Sequence, residues 1–165
     1  MALDPNGRIG QAIQRVAGHP RFARIAPKVV PPLDRVASRL TRGRFVPSAG
    51  LVPMVVLVST GARSGLERET PLATVPDGDA FYLVGSNFGR EAHPAWTHNL
   101  VANPEATVVH RGRRIAVTAH LLDAEEKAAA WPRLTAVWAT YDRYEDRVER
   151  DLRVFRLEPR DPQPG

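Results

Sequence analysis

The sequence predicts an α+β fold in which helices flank an antiparallel sheet or barrel. Short apolar and β-branched runs recur along the chain and are joined by tight turns, which is typical of hairpin-linked strands. Helical patterns do not follow every strand, so a doubly wound parallel sheet is disfavoured. At 165 residues with 43% hydrophobic side chains, the chain has the size of one domain with its own core. We expect the domain at 46–160, between an N-terminal segment, 1–45, and a disordered tail, 161–165.

Residues 1–45 predict a basic, amphipathic helical segment. Apolar side chains recur at helical spacing in two runs, 9–16 and 29–40. The segment carries nine basic and two acidic residues, a net charge of +7, whereas the rest carries 14 basic and 16 acidic residues, a net charge of −2. We expect it to pack on the sheet, and peripheral contact with an anionic membrane stays open. Nucleic acid is not an expected partner, because aromatic side chains do not interleave with the arginines.

The first three strands are predicted between residues 53 and 84. The runs 53–59, 68–75 and 81–84 are rich in apolar and β-branched side chains. Two glycines between the first two runs indicate a turn. The sequence Pro-Asp-Gly-Asp at 76–79 predicts a tight turn before the third strand.

The rest of the domain adds helices and three further strands. In order, the patterns predict a loop at 85–89, a helix at 94–101, and a hairpin of strands 106–110 and 114–121 around Arg111 and Gly112. Asp123 and Glu126 have the spacing of a capping box and predict the start of the next helix. Pro132 is expected to break or restart that helix. A last strand is predicted at 152–157.

The composition excludes several kinds of chemistry. The chain has no cysteine, which rules out disulfides, iron–sulfur clusters and cysteine nucleophiles. The five histidines lack the spacing of a metal pair, so no metal is expected. The longest apolar run, 51–58, is far shorter than the ~20 residues of a membrane-spanning helix, and no signal-peptide pattern opens the chain. We therefore expect a cytoplasmic protein, with peripheral association at the inner membrane face left open.

The turn from Ser59 to Arg68 is the first candidate binding site. It combines glycines and hydroxyl side chains with Arg63 and Arg68. Glycines let backbone N–H groups approach an anion, and arginine can bind phosphate through two hydrogen bonds at once. A plain hairpin with solvated arginines would have the same composition. The turn is neither a Walker motif nor a Gly-x-Gly-x-x-Gly fingerprint.

The segment 85–99 is the second candidate. A polar loop with Ser86 and Asn87 leads into the start of a helix, where unpaired N–H groups favour anions and polarised oxygens. Trp96 and Asn99 lie about one turn apart, so a flat ring could meet an indole and an amide together. The alternative is a core tryptophan followed by an asparagine near the helix end.

An aromatic cluster is the third candidate. Four of the eleven aromatic residues lie within fourteen positions, namely Trp131, Trp138, Tyr141 and Tyr144. Aromatic walls suit flat apolar ligands, and a phenol can donate a proton. The alternative is that these side chains form part of the core.

The three candidates together resemble the deazaflavin-dependent nitroreductase family of actinobacteria. The resemblance covers about residues 50–159. It is carried by Ser-Thr-Gly-Ala-Arg-Ser-Gly-Leu-Glu-Arg (59–68), Thr-Pro-Leu (70–72), Gly-Ser-Asn-Phe-Gly (85–89), His-Pro-Ala-Trp-Thr-His-Asn-Leu (93–100), Ala-Asn-Pro (102–104) and the aromatic residues from 131 to 144.

The resemblance implies a split β-barrel related to flavin-mononucleotide oxidases, which binds coenzyme F420 and passes its hydride to nitroaromatics, quinones or other unsaturated acceptors. It implies that the phosphate and acidic tail of F420 are held by Arg63, Ser64 and Arg68. It implies that the deazaflavin ring is contacted by Pro71, Leu72, Ser86, Asn87, Pro94, Ala95, Trp96 and Asn99. It implies an acceptor pocket of Phe88, Trp138, Tyr141 and Tyr144, with Tyr141 and Ser86 as catalytic hydroxyls.

The sequence departs from that family mainly around the acceptor. Many members have lysine and glycine where Asn87 and Phe88 stand, often a tyrosine where Thr97 stands, and in a well-studied case a tyrosine in place of Trp138. A flavin-mononucleotide enzyme and a non-catalytic deazaflavin carrier stay open as alternatives. So do a monomer and a homodimer.

Overall fold

The computed structural model describes residues 52–160 and Val36, which is helical and exposed. The other residues of the predicted N-terminal segment and the predicted disordered tail lie outside the described part. The strands are β1 Met54–Thr60, β2 Glu67–Ala73, β3 Val75–Asp77, β4 Ala80–Val84, β5 Glu105–His110, β6 Arg113–Leu121 and β7 Val154–Pro159. The helices are α1 Ala95–Ala102, α2 Ala124–Val137 and α3 Thr140–Glu145, with a short 3-10 helix at Asn87–Gly89.

The seven described strands form one antiparallel sheet in the order β2-β1-β5-β6-β7-β4-β3. Three hairpins, β1–β2, β3–β4 and β5–β6, build most of it, and β7 returns to lie between β6 and β4. The sheet curls into a half-barrel. The predicted α+β class with an antiparallel sheet is confirmed, because the connections are hairpins rather than helical crossovers.

Two apolar cores hold the sheet to its helices. The first core lines the inner face of the sheet and includes Val55, Leu57, Leu83, Trp96, Leu100 and Phe155. The second lies where α2 and α3 pack beside the start of β7 and includes Val75, Leu134, Tyr141, Tyr144, Leu152 and Val154. The two cores thus tie α1 and the aromatic α3 to the same sheet from different sides.

Two local signals are confirmed in detail. The Glu126 N–H donates to Asp123 Oδ1 over 2.8 Å and the Asp123 N–H donates to Glu126 Oε2 over 2.9 Å, a reciprocal capping box at the start of α2. Arg111 and Gly112 have φ values of 50° and 78°, as the two central residues of a tight hairpin turn require.

The predicted turn at 76–79 is shorter than expected. Only Gly78 and Asp79 form it, with Gly78 at φ 61°, and Pro76 and Asp77 belong to the additional strand β3. Pro76 is tolerated because β3 is the edge strand, where a missing N–H costs no ladder bond. Because Val75 belongs to β3, the second strand ends at Ala73 rather than at 75. The last strand begins at Val154 rather than at 152.

The expected break at Pro132 is wrong, because α2 runs without interruption from Ala124 to Val137. Proline removes the N–H that would donate to the carbonyl of Ala128. Because Ala128 is exposed, water can donate a hydrogen bond to that carbonyl instead. Leu134, two residues after Pro132, is fully buried. Its packing holds the last part of the helix in place.

Candidate active site

The β1–β2 turn is compact and presents its arginines to solvent. The Gly61 N–H donates to the Leu66 carbonyl and the Gly65 N–H to the Gly61 carbonyl, both over 2.8 Å. A Cβ on Gly61 would lie 2.6 Å from the Ser64 hydroxyl oxygen and 3.2 Å from the Leu66 carbonyl, so a side chain here would displace the Ser64 hydroxyl. Arg63, Ser64 and Arg68 are exposed. A ligand anion can reach both guanidinium groups without displacing the core.

Asn99 connects this turn to helix α1. Its Oδ1 accepts from the Ala62 N–H over 3.0 Å, and its Nδ2 donates to the Ser59 hydroxyl over 3.2 Å. Ser59 is buried at the end of β1. The first two candidate regions of the sequence are therefore one structural unit, and the amide of Asn99 is occupied in joining them.

The other residues expected around the ring have different environments. Pro71 is buried and Leu72 half-buried, and adjacent strand residues point to opposite faces of β2. Pro94 is half-buried as the N-cap of α1, and Ala95 is exposed. Trp96 is 5% exposed and packs in the first core, with its ring centroid 5.7 Å from that of Phe155. The structure thus places the Trp96 indole in the core and Ala95 at the surface.

The loop after β4 has an unusual backbone. Asn87, Phe88 and Gly89 have consecutive positive φ values of 47°, 57° and 71°. Such values suit glycine and are tolerated by asparagine, but are strained for phenylalanine. The Ser86 hydroxyl does not cap the short helix that follows. Left-handed, non-glycine backbone of this kind is concentrated at functional sites.

The same loop packs on the aromatic helix α3. A Cβ on Gly89 would lie 3.0 Å from Cδ1 of Tyr144 and 3.1 Å from Nη1 of Arg147. A side chain at position 89 would therefore press on Tyr144 of α3 and on Arg147. The structure brings the second and third candidate regions together through this contact.

The aromatic cluster is mostly buried. Tyr141 and Tyr144 are 4% and 3% exposed, and Trp131 and Trp138 are half-buried. The rings of Trp131 and Tyr141 lie 6.4 Å apart, and the Arg147 guanidinium lies 5.8 Å from the centre of the Tyr144 ring. Burial raises the pKa of Tyr141 far above its ordinary value and raises the pKa of Tyr144 to about 12. Both phenols are neutral near pH 7 and can donate hydrogen bonds.

A group of basic side chains beside the loop was missed by sequence reasoning. Arg150 and Arg153, in the segment before β7, approach His93 and His98 near the start of α1. Their contacts join residues 55 or more positions apart, so no local pattern could have revealed them. The only available signal was the density of arginine between α3 and β7.

Neither a metal cluster nor a membrane span is present in the described residues. No group of three or more His, Asp or Glu side chains between residues 52 and 160 could hold a metal ion. No helix in that part of the chain is long and apolar enough to cross a membrane.

A sequence model of the F420H2-dependent quinone reductases matches residues 34–159. The chain belongs to the F420H2-dependent quinone reductase family. An F420H2-dependent quinone reductase of Mycobacterium tuberculosis is 33% identical over 111 residues, which is 66% of this chain and 74% of that protein. The family model, over residues 34–159, begins in the N-terminal segment and ends with β7, so it includes all three candidate regions.

Solved structures agree with this F420H2-dependent family. One F420H2-dependent reductase has a TM-score of 0.60 at 32% identity, covering 64% of this chain and 94% of that chain. A second structure, described as a domain-swapped dimer, has a TM-score of 0.61 at 29% identity. The match covers 77% of this chain and 99% of that chain. The split barrel, the oxidoreductase class and the cofactor F420 implied by the resemblance are thereby confirmed.

The residues of this family member fit such a cofactor. The turn is tightly packed around Gly61 and carries two exposed arginines, with the buried Ser59 at its base. Arg63 and Arg68 suit a phosphate and a carboxylate tail, because guanidinium binds both anions in a planar fork. The strained loop lies against the neutral Tyr144 of α3, at Gly89.

Proposed function

We propose that this protein reduces a quinone with F420H2, at a site between the β1–β2 turn and the loop that follows β4. The observation that carries the proposal is the family match over residues 34–159, which spans the turn, the loop and the aromatic helix. Nitroaromatics and other flat, electron-poor molecules are further acceptors we expect, since hydride acceptors of this kind share shape and polarity. The protein acts in the cytoplasm.

The β1–β2 turn binds the anionic end of the cofactor in this proposal. Arg63, Ser64 and Arg68 are exposed together at one end of the sheet, where they hold the phosphate and the acidic tail. The ring lies against residues of β2, the loop and the start of α1, namely Pro71, Leu72, Ser86, Asn87, Pro94, Ala95, Trp96 and Asn99. Trp96 supports the ring from within the core through the backbone of α1, and Asn99 fixes the turn beneath it.

The acceptor binds between the loop and helix α3. Phe88 and Trp138 are half-buried and form its walls, and Tyr144 supports the loop through Gly89. When bound, reduced F420 supplies the hydride. The chain holds the acceptor in line and donates a hydrogen bond to the oxygen that gains charge, from Tyr141 or Ser86. The raised pKa of Tyr141 keeps that donor protonated at neutral pH.

Cofactor binding tests the turn. Arg63→Ala with Arg68→Ala should weaken F420 at least ~10-fold in a fluorescence titration, since two charge-assisted contacts are lost. Arg113→Ala with Arg114→Ala is the matched control, because it removes the same charge from exposed residues of β6. Equal loss in both double variants would mean that only overall charge matters. That result would remove the turn from the cofactor site.

The same titration and a turnover assay with menadione decide between two alternatives. A flavin-mononucleotide enzyme would bind that flavin more tightly than F420. The double variant would weaken the flavin less than F420, because the flavin has a phosphate but no acidic tail. A deazaflavin carrier would bind F420H2 but leave it unoxidised in the presence of menadione. Consumption of F420H2 with menadione at a rate proportional to enzyme concentration supports the reductase.

Two properties of the whole chain complete the proposal. Residues 1–45 contact anionic lipid at the membrane surface, which their net charge of +7 favours. Co-sedimentation with anionic and neutral vesicles, with and without residues 1–45, tests this. The chain is a monomer or a homodimer, and the domain-swapped relative favours the dimer. Light scattering of the purified chain decides between them.

A further inference from the structure

The Arg150 side chain contacts the loop after β4 at three points. Its Nη2 donates to the Ser86 carbonyl over 3.1 Å, and its Nε donates to the Arg90 carbonyl over 3.0 Å. Its Nη1 lies 3.2 Å from Nδ1 of His93. One planar guanidinium therefore binds the beginning, the middle and the end of the segment 86–93, which a lysine ammonium is not shaped to do.

That segment needs such support, because its own bonds are few. The Gly89 N–H donates to the Ser86 carbonyl over 2.9 Å, the Arg90 N–H to the Asn87 carbonyl over 3.2 Å, and Asn87 Nδ2 to the Ala92 carbonyl over 2.7 Å. These few bonds must offset the strain of two consecutive non-glycine residues, Asn87 and Phe88, in left-handed conformation. Strained backbone of this kind persists only where surrounding contacts over-determine it. Charge-assisted hydrogen bonds from Arg150 supply contacts of this kind, and the Glu149 N–H adds a bond to Glu91 Oε1 over 3.1 Å.

The contact with His93 depends on protonation. Arg150 has only donors, so His93 Nδ1 must be unprotonated to accept from it. Burial lowers the pKa of His93, and the charges of Arg153, Arg150 and His98 lower it further, while Asp151 opposes them. Glu91 is a further charged group close to Arg150. A protonated His93 would put two cations together and remove one of the three contacts.

We propose that Arg150 is a positioning residue for the acceptor site, which holds Ser86, Asn87 and Phe88 in place through three contacts and requires a neutral His93 to do so. The proposal rests on the proposed roles of Ser86 and Phe88. It adds a residue outside the expected site and a histidine that makes loop order depend on pH. Acid should loosen the loop before it unfolds the barrel.

Hydrogen exchange on the cofactor-free full chain tests the proposal directly. Arg150→Lys keeps the charge but loses the fork, and should lower the protection factors of segment 86–93 about 10-fold or more near pH 8. Protection of the β5–β6 hairpin should not change. In the wild type, protection of 86–93 should fall as the pH drops below 6.5, the ordinary pKa of histidine, and on through the lowered pKa of His93. His93→Asn should abolish that fall, because its Oδ1 can accept near the position of Nδ1 and cannot be protonated.

Unchanged protection of 86–93 in Arg150→Lys overturns the proposal, and so does a pH profile of His93→Asn like that of the wild type. If Arg150→Lys loses protection in the hairpin as well, His93→Asn alone decides. With F420H2 and menadione, Arg150→Lys should raise the KM for menadione and lower kcat. Because Ser86 and Asn87 also contact the ring in the proposed function, F420 affinity should fall too, but by less than in Arg63→Ala with Arg68→Ala. Failure of the wild type to bind F420 would instead contradict the proposed function and leave the exchange result standing.

Discussion

The amide of Asn99 donates a hydrogen bond to the hydroxyl of Ser59 over 3.2 Å, and this contact joins helix α1 to the end of β1. The two residues are forty positions apart in sequence. The same amide oxygen accepts from the Ala62 N–H within the β1–β2 turn. Asn99 therefore controls how the turn presents its arginines, although it carries no charge itself.

Replacing Asn99 with alanine should loosen the turn. Two hydrogen bonds are lost, so we expect the free energy of unfolding to fall by about 1–2 kcal/mol and the affinity for F420 to fall by roughly 3- to 10-fold. Urea unfolding and fluorescence titration measure the two effects. Asn103→Ala, at the far end of the same helix, is the control for affinity. Full affinity in Asn99→Ala would show that the turn is held without this bridge.

Gly89→Ala should destabilise the protein more than Gly78→Ala. Both glycines have positive φ, 71° and 61°, so both substitutions meet a backbone penalty of about 1–2 kcal/mol. At Gly78 no atom lies within 4 Å of the added Cβ, whereas at Gly89 the Cβ would be 3.0 Å from Tyr144. Thermal unfolding of the two variants compares them. Equal melting temperatures would mean that the loop moves away from α3 at little cost.

Local signals accounted for most of the fold. The capping box at Asp123 and the turn at Arg111 and Gly112 depend on adjacent residues, and the structure has both as predicted. The predicted helix break at Pro132 is wrong, because the effect of proline on a helix depends on its surroundings. Here these are the access of water to the Ala128 carbonyl and the burial of Leu134. These are tertiary facts, which spacing along a helix does not contain.

The candidate site was predictable only in part. Turn composition makes Arg63 and Arg68 candidates, whereas Arg150 contacts residues 57 to 64 positions away and leaves no local pattern. The spacing of Trp96 and Asn99 fitted either a ring site or the core. In the structure the Trp96 indole packs against Phe155 and the Asn99 amide bonds to Ser59, partners that lie far away in sequence and that helical spacing does not show.

Tyr141→Phe should slow hydride transfer while leaving the cofactor in place. Loss of a hydrogen-bond donor to the acceptor oxygen should reduce the single-turnover rate with menadione ~10- to 100-fold, with F420 affinity unchanged. Burial raises the pKa of Tyr141, so its phenol stays protonated and the wild-type rate should not decline through it up to about pH 10. Tyr82→Phe, in β4, is the control. An unchanged rate in Tyr141→Phe would leave Ser86 as the donor.

The largely buried amine of Lys127 should stabilise the packing around the aromatic cluster. Its Nζ lies 2.6 Å from Glu145 Oε1, 2.5 Å from Asp151 Oδ1 and 5.1 Å from the centre of the Trp131 ring. Lys127→Met should lower the free energy of unfolding by about 1–2 kcal/mol, since the carboxylates left behind are partly solvated. Glu145→Gln, which leaves the contact with Asp151, should cost less.

The pH dependence of Lys127→Met separates charge from packing. Burial alone would lower the pKa of Lys127, but hydrogen bonds from its ammonium to Asp151 and Glu145 raise it above the ordinary 10.5. A group whose pKa is raised on folding stabilises the protein fully below its unfolded pKa and loses that contribution as the pH rises through the folded value. The wild-type advantage over Lys127→Met, measured by urea unfolding, should therefore be constant at neutral pH and shrink above about pH 10.5. An advantage that persists unchanged into strong alkali would assign the effect to packing on Trp131 instead.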